Sequence, residues 1–283
     1  MLGYLISDYD DMSGSYTCTR LIEEFRLRGI RLVPVGVYDT YYSDGILINR
    51  GKELAHADFA INRFKWGMLK DEICALCGRS YNDIGAFDIY VNKYEQVSRL
   101  KSDLYGIPDS VLAHADADYG ELCNRLGTPF VAKGLEDSRG SEIFLIRDAN
   151  GFSRLADFGY DKQWLFQRFV SESEGRDLRL FCIRGKAVAS MVRTNDRDFR
   201  SNYALGAGLQ RHEITDELEN IASFLYRRTG LDVIGADLLF GEDGFMLCEI
   251  NVMPGLKGIE SVSGLNIAGM IAEIAENDMN GQG

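Results

Sequence analysis

Apolar positions along the chain change between short unbroken runs and helical spacings. Residues 2–6, 30–37 and 59–61 are apolar runs of strand length. Between the first two, Leu21, Ile22 and Phe25 fall on one helical face that Gly29 closes. A helical stretch near residues 67–77 and a turn at residues 78–82 follow. This recurring strand–helix–strand order predicts an open α/β domain over residues 1–90. It contains no Gly-x-Gly-x-x-Gly, so the pattern assigns no dinucleotide binding.

After residue 90 the rhythm shifts. Residues 93–105 predict a helix ending at Gly106-Ile-Pro108, and residues 119–126 a second one ending at Gly127. Residues 130–133 and 143–146 read as strands around a Gly/Ser-containing loop at 136–141, which together make a small flap. Strands at residues 163–170, 178–183 and 187–192 come next, the last two joined through Arg184-Gly185-Lys186. Leu218, Ile221, Ala222 and Leu225 mark the core face of a helix closed by Gly230. Residues 265–274 repeat that spacing before a frayed tail at 280–283. The expected fold class is α/β, turning α+β in the C-terminal part, with segments 1–90, 91–165 and 166–283.

The most informative chemistry lies in residues 233–252. Two apolar runs, 233–240 and 245–252, flank Gly241-Glu-Asp-Gly244 and predict a hairpin. Glu249 and Asn251 share one face because strand side chains alternate with period 2, and Asp237 lies on the partner strand. For Asp237 to join that face, the register needs a small bulge or a one-residue shift. Any one of these residues reads equally well as a solvent-facing hairpin position. As a set among apolar neighbours they require coordination or hydrogen bonding. Carboxylate, carboxylate and amide oxygens leave positions that Mg2+ fills with water and substrate phosphate, so the set predicts a nucleotide–magnesium site.

Other residues fit around that site. Lys133 ends an apolar strand and precedes Ser138-Arg139-Gly140, where an ammonium and backbone N–H groups can close over phosphate oxygens; a solvated strand end is the alternative. The strand end Gln167-Arg168-Phe169 can offer backbone groups to an adenine edge, and Asp177 a carboxylate to a ribose, although ordinary turns would look the same. Arg193, Arg197, Asp198, Phe199, Arg200, Ser201 and Asn202 crowd before the glycines of 204–208, a density of guanidinium suited to charge that develops in phosphoryl transfer. Arg63, in Ile61-Asn-Arg-Phe64, is a further carboxylate reader.

Composition narrows the classes. The chain has 283 residues, 46% hydrophobic and 26% charged, as in a globular protein. A net charge of -12 argues against nucleic acid as the main partner. No apolar stretch approaches the ~18 residues of a membrane span, and the N-terminus lacks a signal peptide, which predicts a cytoplasmic location and no membrane partner. The six cysteines sit mostly in apolar contexts, so no disulfide is expected, and Cys74-Ala-Leu-Cys77 reads as structural. The three histidines share no metal-ligand spacing.

With these motifs on the page, the chain resembles the RimK-type ATP-grasp ligases from about Lys93 to Asn277. The motifs in order are Gly175-Arg-Asp-Leu-Arg179, Asp198-Phe-Arg-Ser-Asn202, Asp237-Leu-Leu, Glu249-Ile-Asn251 and Pro254-Gly-Leu-Lys-Gly-Ile-Glu260. The resemblance implies an ATP-grasp fold behind an N-terminal pre-ATP-grasp domain. Its central subdomain (91–165) would carry the phosphate flap and its C-terminal subdomain (166–283) the metal site.

The same resemblance assigns roles. Lys93, Lys133, Ser138, Arg139, Gly140, Gln167, Arg168, Phe169 and Asp177 would bind ATP. Asp237, Glu249 and Asn251 would hold two Mg2+ ions, with Mn2+ as the alternative ion. Arg193, Arg200 and Asn202 would serve catalysis, and Arg200, Ser201 and Asn202 the substrate; Arg63, outside the resembling segment, is a substrate-binding candidate from the residues alone. The implied reaction joins a carboxylate to an amine through an acyl phosphate, adding an amino acid such as glutamate to a peptide, protein or small-molecule acceptor, in an enzyme open to homo-oligomer formation. A kinase on the same fold and a nucleotide-binding regulator are the rival readings. The chain departs from the family where Arg168 replaces a glutamate at the adenine hinge, where Cys248 replaces a larger apolar residue, and where the flap lacks a second glycine.

Overall fold

The apolar runs that open the chain form a parallel sheet. The computed structural model describes residues 1–136, 141–201 and 208–281. In it β1 (Leu2–Ser7) leads through α1 (Tyr16–Leu27) to β2 (Arg31–Gly36). Ser15 caps α1 by accepting from the Cys18 N–H at 3.3 Å. A small meander of β3 (Thr40–Ser43), β4 (Ile46–Asn49) and β5 (Lys52–Glu53), not foreseen from the sequence, precedes β6 (Phe59–Asn62), α2 (Met68–Ala75) and β7 (Ser80–Tyr81). The parallel order is β2-β1-β6-β7. The expected turn at 78–82 therefore contains a strand: the Ala60 N–H donates to Arg79 O at 2.8 Å and draws the segment onto β6.

Two short helices follow, α3 (Ile84–Tyr90), capped by Asp83, and α4 (Lys93–Arg99), capped by Asn92. The helix expected over 93–105 stops at Arg99, because the next segment makes tertiary bonds instead. The Gly106 N–H donates to Phe245 O at 2.9 Å and Gly106 O accepts from the Leu247 N–H at 2.8 Å. A Cβ at Gly106 would lie 3.2 Å from the Met246 methyl, a tight approach that a side chain here would have to push back.

An antiparallel sheet in the order β10-β9-β11-β8 comes next, built from β8 (Ser110–His114), β9 (Phe130–Gly134), β10 (Ile143–Ile146) and β11 (Gln163–Arg168). α5 (Tyr119–Leu126) and α6 (Ala149–Ser153) cover it, and Phe130, Phe152, Trp164 and Phe166 fill the space between. The larger antiparallel sheet has the order β14-β13-β12-β15-β16. Its strands are β12 (Arg176–Ile183), β13 (Lys186–Thr194), β14 (Gly208–His212), β15 (Val233–Gly241) and β16 (Gly244–Asn251). α7 (Asp216–Thr229) packs Leu218, Ile221, Ala222 and Leu225 on it, with acids in its first turn and Arg227 and Arg228 in its last, as the helix dipole favours.

α8 (Lys257–Ser263), not foreseen from the sequence, precedes α9 (Ile267–Met279), the terminal helix expected at 265–274. Gly264, at φ 71°, ends the first, and Asn266 caps the second. α9 packs against α1, so that Phe25 and Phe59 share one core with Phe181 and Ile271. Asp278 ties the end of α9 to the β12–β13 turn and to β7 by accepting from Arg184 Nη1 at 2.8 Å and from the Tyr81 hydroxyl at 2.8 Å. Among the described residues no helix is long and apolar enough to cross a membrane.

Candidate active site

The β15–β16 hairpin positions the acidic set through an irregularity in its register. From Gly241↔Gly244 inward the strands pair residue for residue as far as Leu238↔Leu247; the next pair is Asp237↔Glu249. Cys248 is the extra residue. This bulge is the shift the sequence required, and it puts Asp237 beside Glu249 on one face, with Gly235 opposite Asn251.

Neighbouring strands add cations to that face. Arg179 on β12 is directly opposite Asp237, and Arg193 on β13 directly opposite Asp177. Arg179 grips Asp237 with two N–H groups, one of them at 2.9 Å from Oδ2. Arg193 reaches Asp177 Oδ1 at 2.7 Å and Asp237 Oδ2 at 2.9 Å. All four side chains are at most 8% exposed. The result is a buried, alternating ladder of two guanidiniums and two carboxylates, each with its hydrogen bonds met. Burial pushes the Asp237 carboxyl up, but Arg179 and Arg193 outweigh it and hold it below the ordinary value. Asp177 is shifted the other way, because burial and the nearby Asp237 charge exceed the help from Arg193.

Glu249 stands at the end of this ladder, half-buried, in no ion pair among the described residues. Asn251 turns its Oδ1 to the Met253 N–H at 2.9 Å. Lys133, buried on β9, places Nζ 3.3 Å from Cys248 Sγ. Burial raises that thiol to about 11 against the pull of Lys133. Among the described residues no group of three or more His, Cys, Asp or Glu is placed to hold a metal. The oxygen donors present fit a hard cation bound mostly through phosphate, with Glu249 and Asn251 available and Asp237 shared with its arginines.

A narrow slot runs between the two antiparallel sheets. Lys133, Gln167, Arg168, Phe169, Asp177, Arg200, Ser201, Asp237 and Glu249 all line it, so the structure gathers most of the expected nucleotide and metal residues. Phe199 also lines it, its ring 6.4 Å from that of Phe169 and nearly perpendicular. At the hinge, the Arg168 N–H already donates to Asp109 O at 2.9 Å and its guanidinium pairs with Asp109 at 2.7 Å. Gln167 Nε2 donates to Ser110 Oγ at 2.9 Å. Arg200 pairs with Asp198 at 2.7 Å. Ser138, Arg139, Gly140 and Asn202 lie outside the described residues.

A second, wider cleft of about 790 Å3 adjoins the slot. It is bounded by the N-terminal sheet on one side and the hairpin on the other, and it contains Arg63, Lys93 and Asn251. Glu249 and Ile143 line both spaces, so the two adjoin at the end of the ladder, with Arg193 on the side of the wide cleft. The Cys74-Ala-Leu-Cys77 pair belongs to neither; burial raises both thiols to about 12.

Arg179 is the site residue that motif reading named only as part of Gly175-Arg-Asp-Leu-Arg179 and gave no role. Its signal was a charged residue inside an apolar strand, two positions from Asp177 and therefore on the same face.

Residues 91–275 match the family described as the RimK-like ATP-grasp domain. A protein named probable alpha-L-glutamate ligase from Thioalkalivibrio sulfidiphilus (strain HL-EbGR7) is 31% identical over 281 residues, covering 93% of this chain and 92% of its own. The macrocyclase MdnC bound with precursor peptide MdnA, from Microcystis aeruginosa MRC, superposes with a TM-score of 0.71 at 16% identity, covering 98% of this chain and 100% of its own. The ATP-grasp ligase PsnB complexed with minimal precursor, Mg and ADP gives a TM-score of 0.68 at 16% identity, covering 96% of each chain. Both likenesses show a shared fold. The chain is an α/β ATP-grasp ligase, an enzyme forming carbon–nitrogen bonds, and it belongs to the RimK-like family.

Proposed function

We propose that this ligase uses ATP to add an amino acid, glutamate among the first to test, to the carboxylate of a peptide, protein or small-molecule acceptor. One observation supports the reading: the slot that gathers Lys133, Asp177 and Glu249 adjoins, at Ile143 and Glu249, a wider cleft of about 790 Å3. The name of the 31%-identical relative supports glutamate, and the precursor-bound neighbours support a peptide acceptor.

In the proposed reaction an acceptor carboxylate oxygen attacks the γ-phosphorus of ATP, forming an acyl phosphate as the bond to ADP breaks. The amine nitrogen then attacks the acyl carbon, phosphate leaves, and the nitrogen loses a proton to become an amide. Lys133 binds phosphate oxygens; Gln167, Arg168 and Phe169 border the base; Asp177 faces the ribose. Glu249 and Asn251, with Asp237, would hold Mg2+ (two ions, or Mn2+), which supplies charge neutralisation on the transferring group. Arg193 and Arg200 stabilise charge on the phosphoryl and acyl-phosphate oxygens. The buried ladder keeps Asp237 and Arg193 ionised and fixed in place, so little reorganisation is needed during transfer.

The test is ADP release measured across amino acids and glutamyl peptides, with mass spectrometry of the products. Release that depends on an amine, with a product heavier by one amino-acid residue, is the expected result. Release that needs no amine, or no release with any pair, overturns the reading.

A further inference from the structure

β16 is an edge strand of the larger sheet, so the backbone groups along its outer side take their partners from outside that sheet. Gly106 serves Phe245 O and the Leu247 N–H. Regular alternation would next turn the backbone of Glu249 outward. The extra residue Cys248 moves the alternation on by one, and the outward pair becomes the N–H and C=O of Ile250.

A side chain stands there in place of a strand. Gln96, on α4 and 4% exposed, accepts from the Ile250 N–H through Oε1 at 2.8 Å and donates from Nε2 to Ile250 O at 3.0 Å. Nε2 also donates to Tyr90 O at 2.6 Å, so two backbone carbonyls take both of its N–H donors and fix which way the carboxamide faces. Gln96 borders the wide cleft, yet its donors are spent on the protein itself.

The Ile250 N–H belongs to the peptide unit that follows Glu249, and the Ile250 carbonyl to the one that precedes Asn251. One carboxamide therefore holds both peptide units between the two oxygen donors, while the Ile250 side chain is buried in the core. α4 also begins with the Lys93 N–H donating to Leu135 O at 2.9 Å, two residues past Lys133. The helix thus bridges the strand that carries Lys133 and the strand that carries Glu249.

Resting on the reading of Glu249 and Asn251 as cation ligands, we propose that Gln96 is a positioning residue for the metal site. Its carboxamide sets where those two donors stand relative to Lys133 across the slot. Groups that orient ligands without touching the ion change metal affinity by about 10- to 100-fold.

The test needs neither acceptor nor amine. A non-hydrolysable ATP analogue is titrated calorimetrically into the full chain with and without Mg2+, and the ratio of the two affinities is the Mg2+ gain. Gln96→Met keeps the length of the side chain and removes its hydrogen bonds. It should lower the gain about 10- to 100-fold and leave metal-free binding within about 2-fold. Hydrogen exchange at the Ile250 amide should quicken in the same variant. Gln96→Glu keeps an acceptor for the Ile250 N–H and loses both donors, so its Ile250 amide should stay protected and its gain should lie between those of the parent and Gln96→Met. If Gln96→Met does not fold, a gain in Gln96→Glu below the parent's is the expected result and an unchanged gain the overturning one. A gain that neither substitution moves, or metal-free binding that falls as far as binding with Mg2+, also overturns the assignment. The two readings fail separately: no Mg2+ gain in the unsubstituted protein removes Glu249 and Asn251 as ligands and Gln96 with them, whereas a gain indifferent to Gln96 removes only Gln96.

Discussion

Asp237 faces Glu249 only because Cys248 is an extra residue in β16. With the register that holds from Gly241↔Gly244 to Leu238↔Leu247, the partner of Asp237 would be Cys248, and Glu249 would point to the other side of the sheet. Inserting an alanine between Cys248 and Glu249, so that the alanine takes the place opposite Asp237 and Glu249 moves to the other side of the sheet, should therefore abolish ATP turnover while the hairpin still forms. Cys248→Ala, which keeps the residue count, should lose far less. ADP release by the two variants, with circular dichroism as the folding control, decides the point; equal losses would remove the bulge from the explanation.

Glu249 is the carboxylate of the set with no guanidinium on it. Glu249→Ala should lower ATP turnover by about 100-fold or more, the scale seen when one charge-stabilising group is removed from an active site. A half-buried side chain outside any ion pair contributes little to folding, so the melting temperature should stay within a few degrees, equivalent to roughly 0.5 kcal/mol. Unchanged turnover would exclude Glu249 from the chemistry.

Arg179 is a different case, because removing it strips a buried carboxylate of its two-toothed partner. Breaking such a pair on one side costs roughly 3 kcal/mol or more, so Arg179→Met should lower the urea midpoint substantially. Arg179→Met combined with Asp237→Leu should recover most of that stability while leaving the enzyme inactive. A single variant as stable as the parent would show that Arg193 alone suffices for Asp237.

Acid should loosen the tie between the end of α9 and the β12–β13 turn and β7. Hydrogen bonding from Arg184, beyond the opposing effect of burial, holds the Asp278 carboxyl below its ordinary value. A carboxyl with a depressed folded pKa contributes its full stabilisation above the unfolded value, near ~4, and loses it as pH falls toward the folded value. Stability measured by urea unfolding should decline as pH drops below about 4, and Asp278→Asn should flatten that decline. An identical acid limb in the variant would rule out Asp278 as a contributor.

Much of the architecture was legible because it is written locally. The shared face of Glu249 and Asn251, the core stripe of α7, and the glycines that close α1 and α7, Gly29 and Gly230, each act within one element. Side-chain period and backbone capping depend only on near neighbours, which explains why these readings coincide with β16, α7 and α1. The readings that changed depend on distant partners. Residues 100–107 left the helical pattern for bonds to β16, and residues 80–81 left a turn for bonds to β6. No local periodicity announces either.

By itself, the order of residues in this chain determined that Glu249 and Asn251 share a strand face, that a glycine-bounded hairpin carries them, and that an open α/β unit comes first. Tertiary structure alone decided that Cys248 bulges, that Arg179 and Arg193 neutralise Asp237 and Asp177, and that Ile6 pairs with Asn62 at the reversal of the first sheet. The physical reason is that period and capping are properties of one segment. Register and ion-pair choice are settled between segments distant in the chain, 58 positions apart for Arg179 and Asp237, where burial makes each charge depend on the partner the fold brings to it.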